Sequence, residues 1–119
     1  MAEHFCREQV VANDSADHAY ALDQAARLFT RAGLFVMLDV GAGIESVALR
    51  LELSPDSTTW YRAHVWDPAA NAYAAAVTLT ADTQRLIAWV DNYAPYLRLV
   101  ALNTGATAAT LTALLITQH

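Results

Sequence analysis

The sequence predicts an all-β protein: a single antiparallel β-sandwich, jelly-roll-like, with about seven strands and an N-terminal arm. Three observations predict it. From Arg31 onward apolar residues recur with a period of two, the period of a strand with one buried face. Gly, Pro, Asn, Asp and Ser interrupt that pattern at short, regular spacing. No linker composition and no internal repeat divides the 119 residues, a length that suits one domain.

Residues 1–26 differ from the rest and are set apart as the arm, with 27–119 as the sandwich. They hold Cys6, His4, His18 and the acidic residues Glu3, Glu8, Asp14, Asp17 and Asp23. Asp14 or Ser15 can cap a short helix running into the Ala-rich "AYALDQAARLF". The apolar periodicity there is weak, so an extended arm, one that pairs with a neighbour or merges into the first strand, is the preferred reading. "GLFVMLDVGAG" then reads as a strand ended by Gly41 and Gly43. In "ESVALRLELS", Val47, Leu49, Leu51 and Leu53 point one way and Ala48, Arg50 and Glu52 the other. "SPDS" at 54–57 is a turn, with Pro55 presetting φ and the Ser and Asp side chains bonding nearby amides. "TTWYRAHVW" follows as the second strand of a hairpin. After the turn region "DPAANAY" come "AAVTLTA", "QRLIAWVDN", "YLRLVALN" and "TAATLTALLIT", with Asn103-Thr104-Gly105 turning between the last two. Their inward sets are expected to include Leu97, Leu99 and Ala101, then Leu111, Ala113 and Leu115.

Composition narrows the class. Hydrophobic residues make up 55% and charged residues 16%, against about 25% charged in an ordinary soluble domain. Either apolar surface is buried against another chain, or a dense core and abundant Ala account for the excess. Net charge is −5, and all seven basic residues are Arg, which argues against binding a phosphate backbone. A single cysteine excludes a disulfide scaffold. No signal-peptide pattern is present and no apolar run approaches a membrane span, which points to synthesis in the cytoplasm and no membrane partner.

No catalytic constellation is expected. His64 is the one histidine inside the sheet region, no G-x-S-x-G occurs, and a lone strand histidine does not make a triad. His4 and Cys6 sit two apart, without the C-x-x-C or H-E-x-x-H spacing of a metal site. Asp56, Asp67 and Asp82 read as turn formers rather than calcium ligands. "GAG" at 41–43 lacks the strand–turn–helix setting of a dinucleotide loop. No cofactor and no metal are therefore expected.

The aromatic residues between 60 and 96 remain. Strict alternation puts Tyr61, Ala63 and Val65 on a core face and Trp60, Arg62, His64 and Trp66 on the other. A bulge near Trp60 would turn it inward. Leu86, Ala88 and Val90 alternate with Ile87, Trp89 and Asp91, and both of those faces are apolar. So are both faces of "YLRLVALN" and "TLTALLIT". Strands covered on both faces imply a second layer or a partner chain. Core packing is the ordinary fate of a Trp in so small a domain. The candidate interface residues are Trp66, Trp89, Tyr93 and Tyr96. The same exposed rings, Trp66 or Trp89, would serve a carbohydrate-binding module.

"VALRLELSPDSTTWY", followed by "PYLRLVALNTGATAATLTALLI", resembles small β-sandwich virion proteins of tailed bacteriophages, the capsid decoration (cement) and head or tail accessory proteins. The resemblance covers about Gly33 to Thr117 and leaves out the arm. Ser57 departs from it, standing where a glycine is common. It implies that Trp60 packs in the sandwich and brings no catalytic residues. It further implies a non-enzymatic capsid decoration protein, assembled in the host cytoplasm, that binds the major capsid or another virion protein as a homo-oligomer, taken as a trimer.

Overall fold

The computed structural model describes residues 2–21, 31–39, 46–80, 83–89 and 96–118. Among them lie eleven strands: β1 (Ala2–Val11), β2 (Asp17–Ala21), β3 (Arg31–Asp39), β4 (Val47–Ser54), β5 (Tyr61–Arg62), β6 (Val65–Asp67), β7 (Ala72–Ala74), β8 (Val77–Leu79), β9 (Thr83–Trp89), β10 (Tyr96–Asn103) and β11 (Ala109–Gln118). One sheet has the order β1-β11-β3-β9-β6-β7, and the other has the order β2-β10-β4-β5, with β8 also pairing β4. Every pairing is antiparallel. Leaving aside the short β5 to β7, the pairs are β1 with β11, β2 with β10, β3 with β9 and β4 with β8. That is one long hairpin rolled up on itself, the jelly roll. Among the described residues no helix is long and apolar enough to cross a membrane.

The alternation read from the sequence sets the core. Val47, Leu49 and Leu51 of β4, Leu97, Leu99 and Ala101 of β10, and Leu111, Ala113 and Leu115 of β11 are all buried between the sheets, with Leu34, Val36, Leu38 and Ile87 facing them. Leu53 and Tyr20 pack at its margin. The space left among Leu34, Leu49, Leu51, Ile87 and Leu99 is about 10 Å³, no more than a single water needs, and its lining is almost wholly apolar.

The N-terminal segment is extended, and it merges into both sheets. β1 pairs with β11 and β2 with β10, so the sheets use residues on both sides of the expected 26/27 boundary, which itself lies outside the described residues. The helix-start signal at Asp14 is a turn instead. Asp14 Oδ1 accepts from the Ala16 amide at 3.1 Å, and Ser15 takes a φ of 54°. A capping aspartate and an Asx turn offer the backbone the same hydrogen bond, which is why the sequence suggested a helix. β1 is an edge strand with register shifts between His4 and Cys6 and between Cys6 and Gln9. Such bulges make a poor template for a further strand.

Asn103 ties this N-terminal turn to the β10–β11 turn. Its side chain is fully buried. Its Nδ2 donates to the Val11 and Thr107 carbonyls at 3.0 Å each, and its Oδ1 accepts from the Gly105 amide at 2.9 Å. The Ser15 amide donates to the Asn103 carbonyl at 3.2 Å.

The hairpin turn forms as the sequence reads. Asp56 Oδ1 accepts from the Thr58 and Thr59 amides at 2.9 Å, and the Ser54 hydroxyl donates to it at 3.0 Å. Leu53 faces Tyr61 across β4 and β5. Ser57 has a φ of 63°, left-handed geometry that suits glycine. Ser57→Gly is therefore expected to stabilise the fold by about 0.5–1 kcal/mol in urea titrations, the relief of Cβ strain exceeding the entropy that glycine adds to the unfolded chain. A loss of stability would show that the turn does not hold this conformation.

"TTWYRAHVW" is not one strand. β5 belongs to the sheet of β4, and β6 belongs to the sheet of β9. The chain crosses between them at Ala63 and His64, with the Ala63 amide still donating to the Leu51 carbonyl at 2.9 Å. The crossing splits the expected faces. Ala63 and Val65 are buried as predicted, but Tyr61 is 60% exposed, and Trp60 lies half-buried over the outside of its sheet. Neither Trp60 nor Tyr61 fills the sandwich.

Candidate functional site

The jelly roll leaves two outer faces, and the outward residue of each strand decides their chemistry. On the β2-β10-β4-β5 sheet the outward positions carry charge. Arg50 Nη2 donates to Asp17 Oδ2 at 2.8 Å, and Arg50 Nε donates to Glu52 Oε2 at 3.1 Å. Arg98 Nε donates to the other Glu52 oxygen at 2.7 Å. The Arg98 guanidinium also lies 4.2 Å from the centroid of the Trp60 ring, a cation–π stack. Under this ladder Val100, on the outward side of β10 opposite Arg50, is fully buried. The arginine stems shield apolar surface while their heads pair with carboxylates. Arg50 and Arg98 are paired with Asp17 and Glu52, Arg62 stands opposite Glu52 in the same row, and one side of the Trp60 ring is already occupied.

The ladder and turns make stability depend on pH. Arg50 beside Asp17 holds that carboxyl below its usual value. The His18 ring, chiefly, and the Ala16 amide do the same for Asp14. The Thr59 and Thr58 amides, with the Ser54 hydroxyl, do so for Asp56. For Glu52 burial pushes upward, but the hydrogen bonds from Arg98 and Arg50 outweigh it and the net direction is down. A carboxyl depressed in the folded state contributes stability above its unfolded value, and that contribution is lost as pH falls through the folded value. The ordinary values are 3.8 for Asp and 4.5 for Glu. The urea midpoint is thus expected to fall steeply below those values as the pH is lowered. A midpoint flat down to pH ~2.5 would contradict the ladder.

The outer face of the six-stranded sheet is different. Its registers align Ile116 of β11, Gly33 of β3, Ala88 of β9, Trp66 of β6 and Tyr73 of β7 in one row across five strands. The next row is His4, Leu114, Phe35 and Leu86. Beyond it come Thr112, Met37 and Gln84, then Val10, Thr110 and Asp39. Trp66 and Tyr73 meet edge to face, with ring centroids 5.1 Å apart at 71°. Leu86 lies flat over Gly33, since a Cβ on that glycine would sit 3.0 Å from the leucine Cδ1. Tyr73, Leu86, Ile116 and Met37 are 67%, 47%, 45% and 40% exposed. The polar end holds a depression of about 480 Å³ lined by Glu8, Asp39, Gln84, Thr110 and Thr112 over Met37.

Of the predicted interface residues, Trp66 lies on this apolar face. Tyr96 lies on the opposite one, facing Ser54 across β10 and β4. The two do not form one patch. Trp89 pairs through its backbone with Ala32, and Tyr93 lies outside the described residues. Phe35, Leu86, Leu114 and Ile116 were not among the interface residues expected from the sequence. Their signal was present, in strands such as "TLTALLIT" that are apolar on both sides.

Nucleophilic chemistry finds little here. His64 is exposed in the crossing segment. Burial pushes the Cys6 thiol up to about 11, against a smaller opposing effect from a backbone hydrogen bond, so it stays protonated at neutral pH. Among the described residues no three His, Cys, Asp or Glu side chains converge as metal ligands. No protein-family model and no curated protein matches the chain.

Proposed function

We propose that this chain is a non-enzymatic structural protein of a virion, a capsid decoration protein that acts by association with other subunits. The observation that carries the reading is the apolar outer face of the six-stranded sheet. Its exposed side chains, Tyr73, Leu86, Ile116 and Met37, present roughly 400 Å² in one patch, taking full side-chain areas of the 150–250 Å² order. A patch of that size is the kind that is often functional on a monomer. The jelly roll alone does not choose, because viral coat domains and lectins both use it. The surroundings of Trp66 favour a protein partner. Its row neighbours are Ala88 and Tyr73, so the Tyr73 hydroxyl is the one hydrogen-bonding side-chain group next to it in the row, whereas a sugar site sets several such groups beside the ring.

The test is cosedimentation of the purified protein with phage shells that lack their decoration protein. Saturable binding, lost on introducing a charge into the face, is expected. No association with any shell would sink the virion reading. Glycan binding that disappears in Trp66→Ala would replace it with the carbohydrate module.

A further inference from the structure

We infer that the apolar face of the six-stranded sheet is a two-fold interface, and that its occupant is a second copy of this chain. The inference rests on the reading above that this face is where the protein associates, and it names the partner.

The first argument is symmetry. A trimer, or any other ring of order above two, joins two different patches on each subunit, whereas a two-fold dimer uses one patch twice. Among the described residues the two outer faces have opposite characters. One is apolar over two rows except for His4 at the β1 edge of the second. The other carries Asp17, Arg50, Glu52 and Arg98 already paired with one another. A single apolar patch calls for its own copy, and so for two subunits rather than the three expected from the resemblance.

The second argument is charge. The chain carries −5, so a copy is a repulsive partner unless the contact avoids charge. The row of Ile116, Gly33, Ala88, Trp66 and Tyr73 contains no Asp, Glu, Lys, Arg or His, and the next row has His4 only at its β1 edge. The carboxylates Glu8 and Asp39 lie at one end of the face. A two-fold axis between the sheets, running across the strands, sets apolar rows on apolar rows and reverses one copy. The two acidic ends then fall at opposite margins. Face-to-face sheets accept this geometry at a separation of about 10 Å.

The third argument is area. Five strands at about 4.8 Å spacing make the row roughly 19 Å wide. The patch of roughly 400 Å² supplies about half of the ~800 Å² per partner of a standard interface, as its apolar centre, with the partly buried members of both rows and the polar end supplying the rest. Leu86, lying flat on Gly33, keeps the centre of the face level enough for a second sheet.

The experiment is light scattering on the full chain after size exclusion, with no shells present. The expected mass is twice the 12.9 kDa of one chain. Leu86→Lys and, separately, Ile116→Lys are expected to raise the dissociation constant by 100-fold or more while keeping the wild-type circular dichroism. Both side chains are about half exposed, so neither change is expected to prevent folding. Thr78→Lys makes the same charge change on the outward side of β8, in the other sheet, and is expected to leave the dimer intact. A wild-type monomer, a trimer mass, or a dimer untouched by both face variants would overturn the inference. If the wild type is a monomer yet binds shells, the dimer fails and the virion reading stands. If it is a dimer that binds no shell, the reverse holds.

Discussion

Asn103→Ala is expected to lower the free energy of unfolding by about 3–4 kcal/mol. Three hydrogen bonds end on this amide, at 3.0, 3.0 and 2.9 Å, and the side chain has no access to solvent. Each bond contributes on the order of 1 kcal/mol, and a buried carbonyl or amide left without a partner costs about 1–3 kcal/mol more. Only the Val11 carbonyl is left buried in this way, because Thr107 is exposed and Gly105 partly so and both can turn to water. Asn103→Asp separates the contributions. It keeps the acceptor for Gly105 but turns a charged oxygen toward two carbonyls, so at pH 7 it should be at least as damaging. Protonation should restore part of the loss at acid pH, set against the general acid loss of the wild type. Equilibrium urea unfolding followed by circular dichroism measures both. A change under 1 kcal/mol for Asn103→Ala would mean that the clamp does not hold the two turns together.

Asp67→Ala is expected to cost about 3 kcal/mol, for a different reason. Arg85 points to the core side of β9, opposite the fully buried Val36. Its Nη2 donates to both Asp67 oxygens at 2.6 Å, and its buried Nε has no hydrogen-bond partner. Asp67 also accepts from the Ala69 amide at 3.1 Å, in the β6–β7 turn. Removing the carboxylate strands a largely buried cation, which typically costs about 3–5 kcal/mol; the 21% exposure of Arg85 favours the lower end. Removing both charges should not. The double variant Asp67→Leu with Arg85→Met is expected to lie within about 1 kcal/mol of wild type, or above it, because well-packed apolar residues replace a buried pair without a desolvation penalty. If the double variant were as damaged as the single one, the pair would be a net source of stability.

The residues that the sequence made legible are those whose position follows from period two and a turn. Leu97, Leu99 and Ala101 are buried as the alternation requires, and so are Leu111, Ala113 and Leu115. The hairpin at 54–57 carries the side-chain bonds that Ser54 and Asp56 advertise. Legibility failed where the answer depends on which sheet a strand joins. "TTWYRAHVW" alternates without interruption, and nothing local records that the chain changes sheets at Ala63 and His64. Trp60 and Trp66 therefore looked like neighbours on one face and lie on opposite sides of the molecule. The resemblance that placed Trp60 in the core misled for the same reason, since the partner of the ring is Arg98, distant in sequence. The apolar face was half legible. Alternation revealed strands apolar on both sides, but only the register between strands shows that Ile116, Gly33, Ala88, Trp66 and Tyr73 line up.

The position of β11 has a consequence for biosynthesis. It is made last of the eleven strands, yet it lies between β1 and β3, and Cys6 bonds to Leu111 across 105 residues of chain. Until β11 leaves the ribosome, β1 has no pairing partner in its sheet and β3 is open along one side. Contacts this remote in sequence make folding slow, and unpaired strand edges invite association between nascent chains. Productive folding must therefore wait until β11 has been synthesised, and β1, the earliest of these eleven strands, is among the last of them to be secured.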